Sequence, residues 1–271
     1  MKVFISIDME GISGLASWKE DPRRITDMMV RDLLAVIEGA REGGAGFFRV
    51  ADSHSYGMNV PPEALPPDVE LVRGFPRPYY MMEGLTDEFD LVFLVGYHAP
   101  AGISSGQMDH TYSSSSYYRI AINGKEVGEA EINALYAAEL GVPVGLITGD
   151  KALHDFSRPN FPDPVRFVVT KEGVTRYAAL LYSLERVREE LRKGAREAVE
   201  RSKEMGFFRL EPPYEVEIEF LDTLRADLAA SLPFLNRVSG RRAVFRANNA
   251  DEVLRHIVSM ATLLLSAKVF G

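Results

Sequence analysis

The feature that most constrains the fold is a series of short segments in which most residues are apolar. Residues 2–8 (KVFISID), 91–98 (LVFLVGYH) and 143–150 (PVGLITGD) have this character, which is typical of strands buried on both faces. Between two of them, residues 28–44 (MMVRDLLAVIEGAREGG) place apolar side chains at helical spacing. Buried strands that alternate with amphipathic helices predict an α/β fold, with a mainly parallel sheet flanked by helices.

The C-terminal part of the chain has a different pattern. Residues 184–205 predict an amphipathic helix with charges of both signs on its outer face, and residues 214–220 (YEVEIEF) alternate as a half-buried strand does. We therefore predict an α/β core over residues 1–170 and a smaller α+β lobe, residues 171–271, that packs on the core. The apolar segment 256–271 is interrupted by polar residues, which makes it a candidate core or oligomer-forming helix.

Composition narrows the classes of partner. The chain of 271 residues has a net charge of −8, which argues against nucleic-acid binding because such binding depends on dense patches of lysine and arginine. The sequence shows no signal peptide and no apolar run of about 18 residues, so we expect a cytoplasmic location and no membrane partner. The chain has no cysteine, so any metal would be held by histidine and carboxylate.

Potential metal ligands follow three of the predicted strands. Asp8 ends the first strand and Glu10 follows it, His54 follows a further predicted strand over residues 46–52 (GFFRVAD), and His98 ends the segment 91–98. In open α/β sheets, ligands bind at the carboxyl ends of the strands, so these side chains are expected to converge. Nitrogen and oxygen donors of this kind suit Zn²⁺ or a similar divalent ion. We therefore predict a metal site in the core.

Each of these residues also has a structural explanation when it is taken alone. Asp8 is a plausible turn residue at a strand end, and His98 a plausible buried core histidine. For Asp52 we favour a role in steadying the loop after its strand. Two metals would need a further carboxylate, and the sequence leaves three candidates near a helix N-terminus: Glu126, Glu129 and Glu131.

Six short motifs occur in an order and at spacings that resemble the zinc-dependent D-aminopeptidase family. The resemblance also extends through ITGD (147–150) and TKEG (170–173) to the strand VEIEF (216–220). Each piece alone would be weak evidence, whereas six in register are specific. The six are SIDMEGISG (6–14), ADSHS (51–55), MMEGL (81–85), VGYHA (95–99), MDH (108–110) and VGEAEINA (127–134).

The resemblance implies a site with two zinc ions, although other divalent ions would also fit the ligands. It implies that Asp8 bridges the two ions, and it selects Glu129 over Glu131 through the VGE match. The sequence departs from the family pattern at Glu131, where a small residue is usual, and at MDHTY (108–112), which bears on substrate preference. The roles carried over are Glu10 and His54 at one ion, His98 and Glu129 at the other, and His110 as the catalytic residue.

The function that this set predicts is a dinuclear zinc aminopeptidase. Such an enzyme would remove the N-terminal residue, expected to be a D-amino acid, from short peptides by means of a metal-activated water. Family members look like ring-based decamers, so we also expect a homo-oligomer. The alternatives are a dinuclear hydrolase that acts on another amide or on a phosphoester, and a non-catalytic metal-binding assembly module.

Three residues outside the metal set are candidates for other roles. Lys171, placed after a predicted strand, is a candidate for contacting a substrate carboxylate, and the alternative is a solvated lysine in a turn. Asp109 and Tyr112 flank His110, so either could orient its ring. The sequence leaves open whether Asp52 or Glu131 joins the metal ligands.

Overall fold

The computed structural model of the protein describes residues 1–269. Within this range the strands form two sheets. In chain order the strands are β1 (Lys2–Ile7), β2 (Phe47–Asp52), β3 (Val69–Val72), β4 (Leu91–Tyr97), β5 (Tyr117–Ile122), β6 (Lys125–Glu126), β7 (Val144–Asp150), β8 (Arg166–Thr175), β9 (Ala178–Leu181), β10 (Tyr214–Phe220), β11 (Asn236–Arg237) and β12 (Arg242–Ala247).

The helices pack on these sheets and on one another. The first and fourth helices lie against each other, and the second packs on β4, β7 and the sixth helix. Since the sixth helix also contacts β10 and β12, this pair joins the two sheets. The helices are α1 (Pro22–Glu42), α2 (Glu129–Glu139), α3 (Lys151–Ser157), α4 (Leu184–Glu200), α5 (Thr223–Ala229) and α6 (Ala250–Leu264).

The larger sheet has seven strands in the order β3-β2-β1-β4-β7-β8-β9. All its neighbours pair in parallel except β8 and β9, which form an antiparallel hairpin at one edge. Every residue of β4 and β7 is buried, as the continuous apolar segments predict. The predicted fold class, a mainly parallel sheet flanked by helices, is confirmed.

The smaller sheet is antiparallel and has the order β11-β12-β10-β5-β6. In β10 the side chains alternate: Tyr214, Val216, Ile218 and Phe220 are buried, and the glutamates between them are half-buried or exposed. This period of two is the pattern of a sheet with one face against the core. The helices α5 and α6 pack on β10, which gives the predicted α+β lobe.

The boundary predicted between residues 170 and 171 does not separate the two sheets. It falls inside β8, which runs from Arg166 to Thr175 and belongs to the larger sheet together with β9. Conversely, β5 and β6 precede the boundary but pair in the smaller sheet. The reason is that β5 pairs with β10, a partner far along the chain, and a single sequence does not reveal such pairing.

The loop after β1 crosses closely over β4. The amide of Gly11 donates to the carbonyl of Gly96 at 2.7 Å, and a Cβ at position 11 would lie 1.8 Å from the backbone oxygen of Tyr97. Only glycine fits at such a backbone approach. Within residues 1–269, none of the helices combines the length and apolar character that crossing a bilayer would need.

The side chain of Lys171 fixes the loop after β1. Its side chain is fully buried in β8, and Nζ donates to the carbonyl oxygens of Glu10 at 2.5 Å, Ile12 at 3.0 Å and Leu15 at 2.6 Å. An ammonium group has three N–H donors, so these three bonds use all of them. The loop that follows Asp8 is therefore fixed by one cation from a strand on the other side of β4.

Replacing Lys171 with methionine should lower the free energy of unfolding by about 3 kcal/mol, because three buried carbonyls lose a charged donor. Urea unfolding followed by circular dichroism measures this change. The matched control is Lys151→Met, since Lys151 is half-exposed and pairs with Asp155 one helical turn away, where the expected loss is below about 1 kcal/mol. Equal stability of the two variants would contradict the role given to Lys171.

Candidate metal centre

The predicted ligands meet because their strands are neighbours. β1 lies between β2 and β4 and is parallel to both. Asp8 directly follows β1, His54 comes two residues after β2, and His98 directly follows β4. Their carboxyl ends therefore lie at one edge of the sheet, which is where open α/β folds bind ligands.

One group of facing atoms contains His54, Asp8 and Glu10. Nδ1 of His54 is 3.4 Å from Oδ1 of Asp8 and 3.0 Å from Oε2 of Glu10. Both carboxylates are buried, and the side chain of His54 is 18% exposed. The three side chains thus present two oxygens and one nitrogen to the same small space.

A second group forms on the other side of Asp8. Nε2 of His98 is 3.4 Å from Oδ2 of Asp8 and 3.6 Å from Oε2 of Glu129. Glu129 is the first residue of α2, so the helix N-terminus directs it to the centre. Each oxygen of Asp8 therefore faces a different histidine.

These separations fit a pair of zinc ions. Two ligands that bind one tetrahedral zinc ion at about 2.0 to 2.1 Å lie about 3.3 Å apart, close to the spacings within each group. Ligand atoms of Asp8, Glu10 and His98 lie within 4.8 Å of one another, and so do those of His98, His110 and Glu129. The donor set of nitrogen and carboxylate oxygen also suits zinc or a similar divalent ion.

His98 has a buried nitrogen whose lone pair a metal would satisfy. Its Nδ1–H donates to the carbonyl of Ala99 at 2.9 Å, which leaves Nε2 with a lone pair. That Nε2 is buried and has no hydrogen-bond partner among the described residues. A buried polar atom without a partner is costly, and coordination of a cation would remove the cost.

The centre holds more negative charge than its burial favours. Burial, followed by the nearby charge of Glu10, raises the pKa of Asp8 to about 8. Burial and the charge of Asp8 raise the pKa of Glu129 well above its usual value. Burial also lowers the pKa of His98 to about 3, so this imidazole is a neutral ligand at physiological pH. A divalent cation would favour the ionised carboxylates and the neutral imidazole together.

His110 lies at the same centre, on the loop between β4 and β5. Its ring stacks on that of His98 with centroids 4.2 Å apart, and its Nδ1–H donates to the carbonyl of Met108 at 2.9 Å. Nε2 is then unprotonated and faces Oε1 of Glu129 at 3.9 Å. Met108 and Tyr112 on either side have φ of +51° and +57°, a conformation that non-glycine residues seldom adopt and that is frequent at functional sites.

Lys171 does not contact the cavity. Its three donors are used by backbone carbonyls, so the predicted contact with a substrate carboxylate is not formed, and the residue is not a solvated turn lysine either. The prediction placed Lys171 after its strand. In the structure the strand continues to Thr175, and the side chain of Lys171 points into the protein.

The two carboxylates left open by the sequence have structural partners. Asp52 accepts hydrogen bonds from the backbone amides of Asn59 and Val60 at 2.5 Å and 2.8 Å, which steadies the loop after β2 as favoured above. Glu131 accepts from the amide of Gly128 and from the side chain of Asn160, each at 3.0 Å. Neither carboxylate faces the histidines.

Asp109 and Tyr112, which flank His110, form hydrogen bonds with groups other than its ring. Asp109 accepts from the amide of Gly102 at 2.7 Å and so ties the loop to itself. The amide of Tyr112 donates to Oε1 of Glu129 at 2.5 Å, and its hydroxyl donates to Asn133 at 2.6 Å. Tyr112 therefore orients a carboxylate of the centre rather than the ring of His110.

Trp18 contacts the centre but was missed by the sequence reasoning. Its indole N–H donates to Oε1 of Glu10 at 2.6 Å. The only sign in the sequence is that this is the single tryptophan of the chain and that it lies shortly after the metal-ligand motif. The distance of eight residues gives no period that would connect the two side chains.

A cavity of about 580 Å³ opens over the centre, a size common for small-ligand sites. Asp8, Glu10 and Glu129 lie at its polar end. Its apolar walls include Ile25 of α1 and Val258 of α6. Among the described residues that line the cavity, none is lysine or arginine.

Comparisons with known proteins identify the family of the chain. A family model described as D-aminopeptidase matches residues 1–259. A curated D-aminopeptidase of Bacillus subtilis (strain 168) is 30% identical to this chain over an alignment of 276 positions, which covers 98% of each chain. The solved structure of the Zn-dependent D-aminopeptidase DppA from Bacillus subtilis, described as a self-compartmentalizing protease, has a TM-score of 0.93, 28% identity and 98% coverage of both chains. This chain therefore belongs to the D-aminopeptidase family.

Proposed function

We propose that the protein is an aminopeptidase that uses two zinc ions per subunit. The observation that carries the proposal is the placement of Asp8, whose two oxygens each lie 3.4 Å from a different histidine. One ion would be held by Asp8, Glu10 and His54, and the other by Asp8, His98 and Glu129. The zinc dependence of the similar protein from Bacillus subtilis supports the choice of metal.

Zinc ions bound in this way would supply a water-derived nucleophile at neutral pH and would polarise the scissile carbonyl. The protein's own groups would do the rest. His110 keeps Nδ1–H on the carbonyl of Met108, so Nε2 is the atom that can accept a proton and then donate it to the leaving amine. The amide of Tyr112 fixes Oε1 of Glu129, which leaves Oε2 directed at His98.

The lining of the cavity favours a peptide over a phosphoester. A phosphate needs cationic side chains beyond the metals, and the described lining contains neither lysine nor arginine. A peptide N-terminus carries an amine, which the acidic end of the cavity would attract. We propose that the N-terminal residue is a D-amino acid, since both compared proteins are D-aminopeptidases. A non-catalytic module has no observation in its favour.

We also propose that the protein assembles into a homo-oligomer, with a decamer as the specific form. The similar structure is that of a self-compartmentalizing protease, which supports assembly. The β8–β9 hairpin offers an apolar surface for it, because Val174, Tyr177, Leu180 and Leu181 are each between 42% and 64% exposed. An enclosed chamber would limit substrates to short peptides. The cytoplasmic location predicted from the sequence is part of the same proposal.

A panel of peptides tests the activity directly. We expect hydrolysis of D-alanyl-D-alanine and D-alanylglycine, with slower hydrolysis of the L counterparts and of longer peptides. Prior removal of zinc should abolish the activity, and added zinc should restore it. The measurement is release of the N-terminal amino acid by chromatography. Zinc binding without hydrolysis of any amide would favour the non-catalytic module instead.

Substitution of the ligands should separate the two metal positions. Asp8→Ala should reduce the zinc content from about two ions per subunit to near zero, because both ions lose an oxygen. Glu10→Ala should leave about one. Inductively coupled plasma mass spectrometry on dialysed protein measures the content, and Asp155→Ala, at an exposed helix position, serves as the control. If Asp8→Ala kept one ion, Asp8 would not bridge.

Substitution of His110 should separate catalysis from metal binding. His110→Ala should lower kcat/KM by about 10²- to 10⁴-fold, the usual contribution of a general acid or base. Zinc content should stay at that of the unaltered enzyme. Loss of an ion together with activity would instead make His110 a ligand, a role that its position near His98 and Glu129 also permits.

A further inference from the structure

Trp18 donates a hydrogen bond to one of the two carboxylate oxygens of Glu10, and the other oxygen faces His54. Its Nε1–H donates to Oε1 of Glu10 at 2.6 Å, while Oε2 of Glu10 lies 3.0 Å from Nδ1 of His54. A carboxylate can bind a metal through one oxygen or through both. Here Oε1 already shares a lone pair with the indole, and Oε2 is the oxygen that faces the metal position beside His54.

We infer that Trp18 is a positioning residue that holds Glu10 so that Oε2 would face the zinc position beside His54. The inference rests on the proposed function, since it concerns the same metal site. An N–H donor to an ionised acceptor makes a short and strong hydrogen bond, and groups that hold metal ligands in this way affect metal affinity. The indole is thus an outer contact of one ion and not of the other.

The indole is itself held on several sides. The loop that leads to it is fixed by the bonds from Lys171 to three backbone carbonyls and by Asp32, which accepts from the amide and hydroxyl of Ser13 at 2.7 Å each. The ring meets His110 and Tyr177 edge-on, with centroids 5.9 Å away in each case. Trp18 therefore contacts a proposed zinc ligand and the proposed catalytic histidine at once.

The hydrogen bond between Trp18 and Glu10 can be followed by tryptophan fluorescence. Because Trp18 is the only tryptophan in the chain, all tryptophan emission comes from a ring whose N–H is bonded to Glu10. A cation on Oε2 withdraws charge from the same carboxylate, which changes the acceptor that the indole faces. Filling of the position beside Glu10 and His54 should therefore change the emission.

The first test compares zinc affinities in protein stripped of metal. Trp18→Phe retains an aromatic ring but has no N–H. Competition with a chromophoric chelator should show one zinc ion bound about 10- to 100-fold more weakly, and the other unchanged. Asp155→Ala, at an exposed helix position, is the control, because it leaves Trp18 and the residues that contact it unchanged. For this control both affinities should stay within about twofold of those of the unaltered protein.

The second test needs no change at Trp18. Zinc chloride added to the stripped, otherwise unaltered protein should change the tryptophan emission as the Glu10 position fills. In Glu10→Ala, zinc should still bind at the position of His98 and Glu129 but should leave the emission constant. This measurement keeps the inference testable if Trp18→Phe fails to fold.

The outcomes separate the inference from the proposed function. If the unaltered protein binds no zinc, the proposed metal site is wrong and the inference fails with it. If it binds two ions, but Trp18→Phe binds both as tightly and zinc leaves the emission of the unaltered protein constant, the inference is overturned while the aminopeptidase proposal stands. Weakening of both ions equally in Trp18→Phe would also overturn it, since that points to a general structural effect.

Discussion

Three carboxylates buried at one edge of a sheet require a cation, and much of the structure around them follows from that requirement. Asp8, Glu10 and Glu129 are each at most 3% exposed, although ionised groups in such surroundings carry a large desolvation cost. Nothing in the described structure places a lysine or arginine side chain among them. The neutral imidazoles of His98 and His110 present lone pairs. Burial disfavours a charged His54, but the charge of Glu10 outweighs it and raises the pKa of His54 well above its usual value, so this imidazolium faces the carboxylates when no metal is bound. A divalent cation would take over that role and leave His54 as a neutral ligand.

Most of the larger sheet could be predicted from the sequence, and the reason is the continuous burial of its strands. A segment such as 91–98 has no polar face, so it can only be a central strand or a buried helix, and its length favours the strand. The smaller sheet was harder to predict. Its strand β5 pairs with β10, which follows every strand of the larger sheet in the chain, and such long-range pairing leaves no local signal.

The candidate site was also predictable only in part. Histidines and acids at the ends of β1, β2 and β4 were predictable, because parallel neighbours bring their carboxyl ends together. The residues around them were not. Lys171 reaches the loop after β1 from β8, and Trp18 lies within that loop and bonds back to Glu10. Both contacts depend on how the loop turns, and no spacing in the sequence encodes the turn. Glu129 and Glu131 differ in role because the latter accepts from the amide of Gly128 at the start of α2.

The wall that α6 contributes to the cavity has a consequence for how such enzymes diversify. Val258, Ala261 and Thr262 line the space beside the metal centre, yet they belong to a helix that supplies none of the proposed ligands. Changes at these positions would alter the volume and shape offered to a substrate without moving the atoms that face the metals. Substitutions in α6, near the end of the chain, could thus change which peptides bind. The proposed metal ligands, which all lie in the first half of the chain, would stay the same.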